Sequence, residues 1–140
     1  MVGQARPDFT LPDLKGRPRH IGEWDGQVVA LNFWATWCPP CLKEIPRLIT
    51  LQSRYGGRGL QIVGIALQKP GDVSAFVREH GMNYPVLAGE MPVVKVAESY
   101  GDSIGALPYT VVIDRHGRIA YTKQGPVTVQ EIRKVIQPLL

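Results

Sequence analysis

Cys38-Pro39-Pro40-Cys41 holds the only two cysteines of the 140-residue chain, three positions apart. Thiols at this spacing suit a dithiol that opens and closes a disulfide. The attacking species in such exchange is a thiolate, whose pKa of ~8.5 falls to ~3.5–7.5 at a helix N-terminus. Unpaired N–H groups and the helix dipole there favour negative charge. The second cysteine, about one turn further on, can then resolve the mixed disulfide. Pro39 and Pro40 carry no N–H, so the amides left for the Cys38 sulfur are those of Cys41 and Leu42. The prolines also stiffen the loop.

Other readings use the same residues. Two cysteines could be half of a zinc site, but three or four ligands are needed. His20, His80 and His116 lack ligand spacing, so no metal is expected. A purely structural disulfide closing so short a loop stabilises little through chain entropy. Glu44 lies three residues past Cys41, near enough to exchange protons with a thiol; a solvated helix glutamate is the alternative. Trp24, Trp34 and the three histidines read as core or surface residues.

The elements that must position the cysteines follow from hydrophobic pattern. Val28 to Trp34 is β-branched, aromatic and almost wholly apolar, as suits a strand buried on both faces. A helix follows from about Pro39, with Leu42, Ile45, Leu48, Ile49 and Tyr55 at helical spacing and Gly56-Gly57 as its end. Pro46 removes one donor inside it, and a kink is expected there. Before this unit, Phe9 to Leu11 and Pro18 to Ile21 flank a turn near Lys15-Gly16 and form an N-terminal hairpin.

Beyond it, Leu60 to Leu67 is a second buried strand. Asp72 caps a helix carrying Val73, Phe76 and Val77 and closed by Gly81. Tyr84 to Leu87 is a short strand, and Val93, Val96, Ala97 and Tyr100 mark a third helix. Tyr109 to Asp114 and Arg118 to Lys123 flank the turn His116-Gly117. Thr128 and Glu131 form a capping box for a last helix with Ile132, Val135, Ile136 and Leu139. This order specifies a three-layer α/β domain with a mixed sheet, spanning residues 1–140 as one domain.

Composition narrows the function. The chain is 44% hydrophobic and 20% charged, which fits a globular domain rather than disorder. Sixteen basic residues against twelve acidic give a net charge of +4. The basic residues are scattered; the nearest cluster, Lys15, Arg17 and Arg19, reads as a solvated turn, so nucleic acid is not an expected partner. Two cysteines exclude a disulfide scaffold. The longest apolar run, Val28 to Ala35, contains Asn32 and is too short to span a membrane. The start, Met1-Val2-Gly3-Gln4, shows no charged region followed by an apolar stretch, so no signal peptide is read there.

The segment Asn32-Phe33-Trp34-Ala35-Thr36-Trp37-Cys38-Pro39-Pro40-Cys41, followed by Glu44 and Pro46, resembles the thioredoxin superfamily. More narrowly it is similar to the TlpA/ResA-like thiol–disulfide oxidoreductases, with a domain of the AhpC/TSA-redoxin type. Pro7-Asp8-Phe9-Thr10-Leu11, Gly105-Ala106-Leu107-Pro108 and Asp114-Arg115-His116-Gly117 extend the resemblance from about residue 5 to 139. It implies a thioredoxin-like α/β/α sandwich with an N-terminal hairpin and a strand–helix insertion between Tyr84 and Tyr100.

The resemblance also implies roles. Cys38 is then the exposed nucleophile and Cys41 the buried resolving thiol. Glu44 stands where the family carries an active-site glutamate, and Pro108 is the cis-proline facing the pair. Trp37, Pro39, Pro40 and Leu107 belong to the surface on which a substrate docks. Asn32 occupies the place of thioredoxin's buried aspartate. An amide cannot accept the resolving thiol's proton, so Glu44 or water must serve. Tyr109 stands where a threonine often follows the cis-proline, a departure that bears on partner preference.

The activity so implied is reduction of protein disulfides through the Cys38–Cys41 dithiol, with no cofactor beyond that redox pair. The substrates are proteins with disulfides or thiols, in cytochrome c biogenesis, copper-protein maturation or related thiol maintenance. An upstream membrane or soluble thiol reductant is required. A monomer is expected, periplasmic or held outside the cytoplasm by an N-terminal anchor; a cytoplasmic location is the alternative. Two rival functions are a peroxiredoxin-like peroxidase with antioxidant activity and a copper-handling thiol chaperone. The first would need a threonine three residues before the reactive cysteine, where this chain has Ala35.

Overall fold

A computed structural model describes residues 1–140. Its centre is β3 (Val28–Trp34), in which all seven residues are buried. It pairs in parallel with β4 (Leu60–Leu67) and antiparallel with β6 (Tyr109–Ile113). β5 (Val86–Gly89) lies parallel to β4, and β7 (Ile119–Gln124) antiparallel to β6, giving the order β5-β4-β3-β6-β7. A strand with neighbours on both sides and helices on both faces must be apolar throughout, which explains the run from Val28.

The N-terminal hairpin pairs β1 (Thr10–Pro12) with β2 (Pro18–His20). Its turn is held by the Asp13 carboxylate, which accepts from the Lys15 and Arg17 amides at 2.9 and 3.0 Å. Asp13 also bridges to Leu87, so the hairpin covers the free edge of β5. Helices α1 (Pro39–Tyr55), α2 (Pro70–Glu79) and α4 (Val129–Ile136) pack on one sheet face, over Val28, Ala30, Trp34, Ile62 and Val112. On the other face α3 (Met91–Ser99) joins Phe9, Leu11, Ile21 and Trp24 over Leu31, Phe33, Val63 and Val111. The three layers and mixed sheet expected from the sequence are present.

Several boundaries differ, for local reasons. α2 begins at Pro70, and Asp72 lies in its first turn without capping. Proline at the first helical position has its φ already set, so the helix starts there. β5 begins at Val86 rather than Tyr84 because Pro85 cannot donate to the ladder; its carbonyl accepts from Gly64 at 2.9 Å. α1 does not stop at a left-handed Gly56 or Gly57. A 3-10 turn continues through Arg58, and the reversal into β4 falls on Gly59 at φ +107°. α1 runs as one helix through Pro46, whose carbonyl accepts from the Thr50 hydroxyl at 3.0 Å. The α4 capping box forms as expected, with Glu131 N–H donating to Thr128 Oγ1 at 3.1 Å.

At the pole where β6 turns into β7, the Arg115 guanidinium donates to the carbonyls of Gly26, Arg58 and Leu140 at 3.1, 3.0 and 3.3 Å. Residues 3–6 are held there too, through Gly3 N–H to Ile119 and Arg6 N–H to Gly117.

Candidate active site

The opposite pole, where β3 ends and α1 begins, carries Cys38 and Cys41, joined as a disulfide with Cα atoms 5.3 Å apart. Cys38 is the N-cap of α1 in an extended conformation, and Pro39 and Pro40 open the helix. The Cys38 carbonyl accepts from the Leu42 amide at 3.2 Å. Of the two amides expected beside the Cys38 sulfur, Leu42's is thus engaged by the helix.

The two sulfurs are unequally placed: Cys41 is 0% exposed and Cys38 6%. The asymmetry matches expectation, but the description of Cys38 as exposed needs correction. In the oxidised pair it is almost covered, and what faces solvent around it is Trp37 (61% exposed), Pro39 and Pro40.

The loop entering the pair is fixed by a residue the sequence reading passed over. Gln68, just past the end of β4, accepts from the Thr36 amide at 2.6 Å and donates to the Thr36 hydroxyl at 2.7 Å. A polar side chain directly after a buried strand was its only signal. The peptide Leu107–Pro108 is cis. Because Tyr109 pairs with Phe33 across β6 and β3, Pro108 lies alongside the Trp34 end of β3, where the cysteine loop starts. Leu107 packs against both hydrophobic clusters, the one containing the cysteines and the one on the far face.

Glu44 is 0% exposed, so the solvated alternative is excluded. Three positions on from Cys41 it shares a helical face with that sulfur. Its carboxylate accepts from Asn32 Nδ2 at 3.2 Å and from the Val127 amide at 2.5 Å. Arg47 holds the same segment from the other side, donating to the Val127 carbonyl at 3.1 Å. Burial pushes the Glu44 carboxyl above its ordinary value, while these two hydrogen bonds and the charges of Arg47 and Lys123 pull the other way. The Tyr84 phenol is raised by burial and by the charge of Glu44. Asn32 thus acts on the site by holding the acid, a role that its identity alone did not reveal.

Such an arrangement can exchange disulfides. One sulfur sits at a helix start under the exposed Trp37, Pro39 and Pro40, and the other lies in the core, one helical turn before the buried Glu44. No group of three or more metal-ligating side chains comes together anywhere in the chain.

Comparison with known proteins agrees. The family model described as Redoxin matches residues 1–136. The thiol-disulfide oxidoreductase ResA of Geobacillus thermodenitrificans is 32% identical over 139 residues, covering 99% of this chain and 78% of that protein. Among solved structures, a thiol:disulfide interchange protein of the thioredoxin family from Chlorobium tepidum TLS superposes with a TM-score of 0.86 at 28% identity, covering 97% and 95% of the two chains. A secreted thiol-disulfide isomerase from Corynebacterium glutamicum gives 0.87 at 27% identity, covering 97% and 84%.

Proposed function

The chain belongs to the redoxin family and is a ResA-like thiol–disulfide oxidoreductase, and we propose that it reduces disulfides in other proteins. The observation that supports this most is the unequal cysteine pair at the β3–α1 junction, backed by a buried carboxylate on the inner sulfur's side.

In the reduced enzyme the Cys38 thiolate attacks a substrate disulfide. Its Sγ bonds to one substrate sulfur and the other leaves as a thiolate. Cys41 gives its proton to the Glu44 carboxylate and attacks Cys38 Sγ. The Cys38–Cys41 bond forms, and the second substrate sulfur leaves. Two electrons pass to the substrate, and an upstream thiol reductant returns the enzyme to the dithiol. Pro108, Leu107, Trp37, Pro39 and Pro40 form the surface on which the substrate strand lies. No cofactor beyond the cysteine pair is needed.

The Pro-Pro dipeptide, with no histidine between the cysteines, favours the reducing side of a range of potentials from ~−270 to ~−120 mV. Proteins awaiting cofactor insertion, such as apocytochrome c or copper proteins, are the substrates the family resemblance favours. An extracytoplasmic location is supported by the secreted Corynebacterium relative. No helix is long and apolar enough to cross a membrane.

Titrating the Cys38–Cys41 pair against glutathione, followed by insulin reduction, tests the proposal. A potential on the reducing side and insulin reduction lost in Cys38→Ser are expected. A potential near that of strong oxidants overturns the direction. Rapid Cys38-dependent peroxide consumption without disulfide reduction would favour the peroxidase, and tight stoichiometric copper binding without it the chaperone.

A further inference from the structure

Residues 125–127, between β7 and α4, are fastened by three hydrogen bonds. The Gly125 amide donates to the Pro108 carbonyl at 2.8 Å. The Val127 amide donates to Glu44 Oε2 at 2.5 Å, and the Val127 carbonyl accepts from Arg47 Nη1 at 3.1 Å. One residue is thus gripped twice by α1: Glu44 takes its N–H, and Arg47, three positions on along the same helical face, serves its C=O. Val127 is 3% exposed and Glu44 fully buried. Arg47 is an exposed residue that makes no ion pair, and its one side-chain hydrogen bond is this one.

Building on the disulfide-reductase reading, in which Glu44 takes the Cys41 proton, we propose that Arg47 is a positioning residue for that acid: through the Val127 carbonyl it keeps residues 125–127 seated on the carboxylate and keeps water from it. A hydrogen bond from a charged donor is about twice as strong as a neutral one, which suits a single-point latch. The Gly125–Pro108 bond holds the near end of the segment, so Arg47 governs only the part that lies on Glu44. The titratable and charged groups around Glu44 are Cys41 and Arg47 from α1, Lys123 from β7 with its partner Glu131 from α4, and Tyr84 from the turn before β5. Burial acts on the carboxyl more strongly than any of these charges, and in the opposite direction to Arg47 and Lys123. Admitting water therefore outweighs the loss of one cation.

The test compares Arg47→Met, which removes donor and charge, with Arg47→Lys, which keeps both. In the oxidised chain, hydrogen exchange of the Val127 amide should quicken about tenfold in the methionine variant while the β3 amides keep their protection. The Glu44 carboxyl, titrated by NMR, should bind its proton about threefold more weakly, because water reaches it. Arg47→Lys should leave both readings near native. A role through charge alone predicts the opposite sign, since losing a cation makes the carboxyl hold its proton more tightly. Tighter binding, an unchanged titration or an unchanged Val127 amide overturns the proposal, as does a lysine variant that behaves like methionine. In the reduced enzyme, resolution of the mixed disulfide with a disulfide peptide should set in at lower pH in Arg47→Met than in the native chain. An identical pH profile removes Arg47 from the reaction and overturns its role. If the native enzyme does not reduce the peptide in a Cys38-dependent way, the reductase reading fails, and the two NMR readings still decide whether Arg47 seats the segment on Glu44.

Discussion

Glu44 carries the clearest pH signature in the molecule. Burial raises its carboxyl above the ordinary 4.5, so the folded chain holds that proton more tightly than the unfolded one. The associated stability is fully present below about pH 4.5 and is lost as pH rises through the folded value. Asp102 is raised by burial as well and contributes with the same sign. Urea unfolding of the native chain and Glu44→Gln across pH 4 to 8 should give curves that diverge, with the variant losing less stability as pH rises; parallel curves would refute the assignment. If Glu44 takes the Cys41 proton as proposed, the variant should also accumulate the mixed disulfide. The sequence placed Glu44 on the same helical face as Cys41, but not its burial. What closes over it is the Val127 amide, 83 positions away, together with Asn32 from the central strand. Contacts of that separation leave no local pattern.

Among the elements, the junction between β3 and α1 depends on a brace from β4. Gln68 pairs with both the amide and the hydroxyl of Thr36, and that loop feeds directly into the cysteine pair. Gln68→Ala removes both bonds and should cost about 1–3 kcal/mol, measured as a shift in the urea midpoint. A larger proportional loss in kcat/KM should accompany it, because the loop also sets where Cys38 stands; unchanged activity in a folded variant would count against the brace. Elements with local signals were legible beforehand: the α4 capping box, the buried run of β3 and the hairpin turns. The shifted starts of α2 and β5 trace to Pro70 and Pro85. One sets helical φ in advance, and the other withholds a donor until the next residue. The strand order, with β6 rather than β5 beside β3, depends on pairings between distant segments that periodicity cannot express.

At the scale of the whole molecule, three of the five exposed large apolar residues belong to the pole that carries the disulfide; Met1 and Val2 are the other two. Trp37 follows β3, Met91 opens α3 just after β5, and Ile104 precedes β6. Scattered single cases need no explanation, but three at one end suit a surface that meets a partner. Trp37→Ser and Ile104→Ser should therefore lower kcat/KM for a folded protein substrate several-fold. Both positions are solvent-facing, so stability should move by no more than about 0.5 kcal/mol. Thermal unfolding read beside the kinetics separates the two, and a loss of stability matching the loss of rate would argue against docking. The Arg115 clasp at the other pole has a practical side. It fastens Leu140 beside residues 3–6, so both ends of the fold lie together, far from the cysteines. Coupled to a bead or an electrode by either end, the protein would present its disulfide outward like a plug on its cord.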